Sequence, residues 1–147
     1  MAFLRNLIEQ RISDTVTEFI EVAGTANLES VLANRTSVPG CYVFRSNNKL
    51  GSAHGDIVIT QAREDFVACV VVTRNVRDSR GAEGADENEA LCLKIQESLL
   101  GWQPSAHHEP IEQASGKLVQ FKNGMFIWMD IYKSRTCLNS LRIWALP

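Results

Sequence analysis

Apolar residues recur every four positions near the start of the chain. Leu4, Ile8, Ile12, Val16 and Ile20 form one stripe, widened by Phe3, Leu7 and Phe19. This spacing predicts an amphipathic helix over residues 3–22, ended by Gly24. A second short helix is predicted over residues 27–33, with Leu28, Val31 and Leu32 as its apolar positions. Val38-Pro39-Gly40 is a turn signal, and residues 41–45 then read as a short strand. Residues 46–55 hold two serines, two asparagines and two glycines and read as a polar, irregular loop. Residues 56–73 read as a long strand, bent or bulged near residues 62–65. Its second half, 66–73, is almost continuously apolar.

A charged loop follows over residues 74–84, then a second main helix over 85–100 with Leu91, Ile95 and Leu99 on one face. Asp86, Glu87 and Glu89 fall in its first turns, where the helix dipole favours negative charge. Gly101 ends it and Pro104 blocks continuation. The last third is a hairpin: residues 117–122 and 125–133 flank Asn123-Gly124, a strong two-residue turn signal. Such a turn sets Phe121 opposite Phe126, Val119 opposite Trp128 and Lys117 opposite Asp130. These aromatic and opposite-charge pairs suit adjacent strands. Residues 139–147 are apolar for a chain end and carry Trp144.

The order of elements predicts an α+β fold, a mainly antiparallel four-stranded sheet packed with two main helices, in a single domain over residues 1–147. Both faces of the hairpin's second strand are apolar, with Phe126 and Trp128 on one and Ile127, Met129 and Ile131 on the other. A sheet covered by one helical layer should instead alternate. Either the helices split across both faces, or another subunit covers one of them.

Composition changes this picture little. The 147 residues are 45% hydrophobic and 22% charged, as in an ordinary folded domain. The net charge of −2 shows no basic excess, which argues against nucleic acid as the main partner. No run approaches the roughly 20 apolar residues of a membrane span, and Arg5 breaks any signal-peptide pattern. Cys41, Cys69, Cys92 and Cys137 form no CxxC pair. Cys69 and Cys92 sit in apolar runs and read as buried free thiols, and the protein reads as one folded in a reducing cytoplasm.

The sequence holds no nucleophile elbow, no phosphate-binding loop, no dinucleotide fingerprint and no HExxH zinc motif. No cofactor and no metal site are expected. His107-His108 reads as a solvated pair, and Asp130 as an acid neutralised by Lys117. The suggestive stretch is charge-split. Arg74, Arg77 and Arg80, with Asp78 among them, precede Glu83, Asp86, Glu87 and Glu89. Such an arrangement suits head-to-tail contact between identical subunits; the alternative is a solvated loop. Lys49 and His54 of the 46–55 loop join this set as candidate contacts with a neighbour, a ring lumen or a tube.

The stretch VVVTRNVRDSRGAEGADENEALCLKIQESLLGWQP, followed by GKLVQFKNGMFIWMDIYKSRT, resembles the tail terminator proteins of long-tailed phages. There an apolar strand ends in a charged loop, a helix ends in a Gly-Trp-x-Pro-like turn, and a hairpin ends in Trp-x-Asp. Residues 71–104 and 116–136 carry the likeness. The resemblance implies a structural virion protein without enzymatic activity. It implies a homohexameric ring at the head-proximal end of the tail tube, assembled in the host bacterial cytoplasm. Its implied partners are itself, the tail tube protein and the head–tail connector. The competing readings are another neck or tail-completion protein and, from a different class, a small ligand-binding or enzyme domain using the 46–55 loop.

Overall fold

The computed structural model describes residues 3–33, 37–74, 80 and 82–140. Its elements are α1 (Leu4–Thr15), β1 (Glu21–Gly24), α2 (Leu28–Ala33), β2 (Gly40–Leu50), β3 (Thr60–Arg74), α3 (Ala82–Leu99), β4 (Glu112–Lys122) and β5 (Met125–Asn139). The α+β class holds, but the sheet has five strands in the order β1-β2-β3-β5-β4. It is mixed, because β1 runs parallel to β2 while the other pairs are antiparallel. Among the described residues, the expectation of four mainly antiparallel strands is corrected to five in a mixed sheet, while the two main helices and the short one between them are present.

The additional strand, β1, begins within the last residues of the span read as the first helix. α1 stops at Thr15, because the β-branched run Thr15-Val16-Thr17 opposes helix and Val16 is already extended. Leu4, Ile8 and Ile12 still point into the core, and Val16 and Phe19 follow them there from the irregular chain after the helix. Ile20, the next residue of the four-residue period, is 70% exposed. The polar loop at 46–55 is also corrected: β2 continues to Leu50. A register shift between Arg45 and Asn47 lets Asn47, Asn48, Lys49 and Leu50 pair with Phe66, Asp65, Glu64 and Arg63.

β3 is the central strand, which explains its unbroken apolar run. Val67, Cys69 and Val71 join α1 and α3 in one core cluster, with Cys41, Val43, Ile111 and Tyr132. Ala68, Val70 and Val72 face the other way, beside Val31 of α2, Tyr42, Phe44 and Ile127. The helices therefore divide between the two faces, α1 and α3 on one and α2 on the other.

Asn123 and Gly124 take positive φ of 55° and 75°, as a two-residue hairpin turn of this kind requires. Phe121 pairs with Phe126 as the turn predicts, their ring centroids 6.2 Å apart. The register then shifts between Leu118 and Gln120, so that Val119 is an extra residue. Leu118, not Val119, faces Trp128, and Gly116, not Lys117, faces Asp130. Lys117 stands opposite Met129, on the other face of the sheet from Asp130.

Candidate interaction surfaces

The interface residues picked out by sequence fall at two ends of the sheet. Arg74 closes β3 opposite Met125, beside the hairpin turn, and is exposed. Arg80 precedes α3, and Glu83, Asp86 and Glu87 occupy the exposed start of that helix. Arg77 and Asp78 lie outside the described residues. Lys49 pairs in register with Glu64, and His54 bridges Thr60 through two backbone hydrogen bonds of 2.8 Å. Both are exposed. Thr60 and Arg74 are the two ends of β3, about 45 Å apart along the strand. The charged set around α3 and the Lys49–His54 set therefore belong to separate surfaces.

The Lys49–His54 end carries exposed apolar side chains. Leu50 is 51% exposed, Ile59 39% and Ile57 94%. β5 ends beside them: Asn139 pairs with Thr60, and the Ser140 N–H donates to the Ile59 carbonyl at 2.9 Å.

The opposite end holds a groove between α3 and the β4–β5 hairpin, a cavity of about 310 Å³. Ala85, Cys92 and Leu93 form one wall and Phe126 and Trp128 the other, with Asp130 and Gln113 at one end. Two buried polar residues shape it. The Asn88 amide donates to the Val71 carbonyl at 2.9 Å, and to Thr73 Oγ1 and the Phe126 carbonyl at 3.3 Å, which ties α3 to β3 and β5. Asp130 is buried and accepts hydrogen bonds from Trp128 Nε1 and Gln113 Nε2, each at 2.9 Å. The expected Lys117 partner is absent from this set. Burial pushes the Asp130 carboxyl above the usual aspartate range, and these donors only partly oppose it. Burial and the neighbouring Asp130 charge both push the Cys92 thiol up, so it is a poor source of thiolate.

Elsewhere, His108 is buried, which corrects the reading of a solvated pair. Its Nδ1 lies 2.7 Å from Ser105 Oγ in the turn before β4. Burial lowers its pKa, against the opposing charge of Asp65. No group of three or more metal-ligating side chains is present among the described residues. No described helix is long and apolar enough to cross a membrane. Sequence reasoning missed the groove because its making needs α3 and the hairpin in contact. Its one local signal was Trp128-x-Asp130, an acid set among apolar residues.

A family model described as "Phage tail terminator protein" matches residues 1–141. No curated protein matches. Among solved structures, a chain from "Virion of native gene transfer agent (GTA) particle" superposes with a TM-score of 0.54 at 13% identity. The superposition covers 92% of this chain and 95% of that one, and shows a shared fold.

Proposed function

The chain belongs to the phage tail terminator family, a family of structural virion proteins, and from that premise we propose that it closes a tail. Six copies form a ring on the head-proximal end of the tail tube. The ring stops tube polymerisation and offers its other face to the head–tail connector. The observation that carries this reading is the separation of two uncovered surfaces by the length of β3. The Leu50, Ile57 and Ile59 side chains sit at one end, and the groove and charged start of α3 at the other.

A subunit with unlike surfaces at its two ends suits heterologous, rotational assembly. Arg74, Arg77, Asp78, Arg80, Glu83, Asp86 and Glu87 at one end meet the Lys49–His54 end of the next copy around the circle. Lys49 and His54 thus belong to the contact between copies. Each exposed ion pair contributes only about 0–1 kcal/mol, so their role is register and partner choice more than affinity. Native mass spectrometry of the complex released from tails tests the ring: six copies support it, and a monomer or dimer as the released unit contradicts it.

A further inference from the structure

The groove between α3 and the β4–β5 hairpin has an occupant written in the same chain: we propose that it receives residues 141–147 of a neighbouring copy. This inference rests on the ring proposed above and says what locks one subunit to the next.

Three observations lead there. The first is the chemistry of the groove. Its walls are apolar, its end is a buried carboxylate, and Glu89 lies on the helix side. The hydrogen-bond donors to Asp130 are the neutral groups of Trp128 and Gln113, and among the described residues no cation pairs with it. A fitting occupant therefore carries a cation on an apolar stem, beside large apolar side chains.

The second is the sequence of the last seven residues, Leu-Arg-Ile-Trp-Ala-Leu-Pro, which lie outside the described residues. Arg142 stands between Leu141 and Ile143, and Trp144 follows. Arginine and tryptophan are the side chains that most often anchor protein interfaces. Arg142 placed on Asp130, with its stem along Trp128, would answer the one buried charge in the groove.

The third is reach. β5 runs from the groove at Asp130 to Asn139 at the far end of the sheet, nine residues or about 30 Å of strand. Ser140 is hydrogen-bonded to Ile59 at that far end. The four residues from Ser140 to Trp144 span at most about 14 Å. A chain's own Trp144 therefore cannot return to its own groove, whereas that of a neighbour enters where the far end of the neighbour's sheet abuts the groove, as end-to-end contact between copies provides. The contact is one-way, groove to tail, and repeats around a closed circle.

The test is a cross-link between Leu93→Cys and Ala145→Cys in a Cys137→Ser background. Leu93 lines the groove and is 51% exposed, so it tolerates replacement better than Cys92. Mild oxidation of the assembled protein should give covalent multimers. When labelled and unlabelled protein are mixed, the disulfide-linked peptide joining positions 93 and 145 should carry both isotopes. Trp144→Ala should raise the concentration for half-assembly by about tenfold or more. Six-copy rings that form without this cross-link, or a bond found only within one chain, would overturn the inference and leave the ring intact. Loss of both ring and cross-link would count against both.

Discussion

Gly116 faces Asp130 across the β4–β5 ladder, and the space a Cβ would fill there is taken by Asp130 Oδ1. The same oxygen accepts from Trp128 and Gln113. The acid that closes the groove thus owes its place to the absence of a side chain across from it. Gly116→Ala should force Asp130 or the β4 backbone aside and destabilise the fold by about 1–3 kcal/mol. Urea unfolding checks it; an unchanged midpoint would show that the ladder absorbs the methyl group.

Asn88 is the second fixed point. One buried amide reaches acceptors on both β3 and β5. Asn88→Leu removes those bonds and leaves the Val71 and Phe126 carbonyls without that donor. A loss of about 1–3 kcal/mol is expected, with faster hydrogen exchange at the start of α3. Exchange unchanged in residues 82–92 would argue that α3 is held by its apolar face alone.

Asp130 and His108 should pull stability in opposite directions with pH. The Asp130 carboxyl is raised in the fold. Its contribution is fully present below the unfolded value near 3.8 and is lost as pH rises through its folded value. His108 is lowered. Its contribution is present above the unfolded value near 6.5 and is lost as pH falls through its folded value. Asp130→Asn retains an acceptor for Trp128 and Gln113. Relative to the variant, the natural protein should therefore lose stability as pH climbs from about 4. A difference that is flat with pH would refute a raised Asp130.

The hairpin shows how far sequence reaches and where it stops. Asn123-Gly124 dictates the Phe121–Phe126 pair, because a two-residue turn leaves no freedom in the first rungs. Two rungs further on, the bulge at Val119 shifts everything by one residue. A β-branched residue in an apolar alternation gives no local sign of a bulge. An unshifted register sets Lys117 beside Asp130 and so conceals the groove's unpaired acid. β1 is hard to read for a related reason. Val16, Phe19 and Ile20 keep helical spacing, yet two of them reach the core from irregular chain beyond the helix, and Glu21–Gly24 is a short edge strand that only its parallel pairing with β2 defines. The buried side of His108 depends on loop 105–111 folding back on β5, where Ser134 donates to the Glu109 carbonyl at 2.7 Å. By contrast α3, β3 and the two-sided core were legible, since each is written in a long, unbroken period.

Charge reversal tests the subunit contact without touching the core. Asp86 and Glu87 are exposed, so Asp86→Lys with Glu87→Lys should leave urea stability within about 0.5 kcal/mol. Ring formation should weaken, and further salt should weaken natural rings in the same sense. Rings equally stable in both proteins would mean that these acids only solvate the start of α3.

If this protein ends tail growth, the distribution of tail lengths reads it directly. A phage in which this chain alone is abolished should produce tubes of uncontrolled, greater length, seen by negative-stain electron microscopy. Supplying the natural chain in trans should restore a single sharp length. Tails of normal, uniform length in the absence of the chain would contradict a role in ending growth.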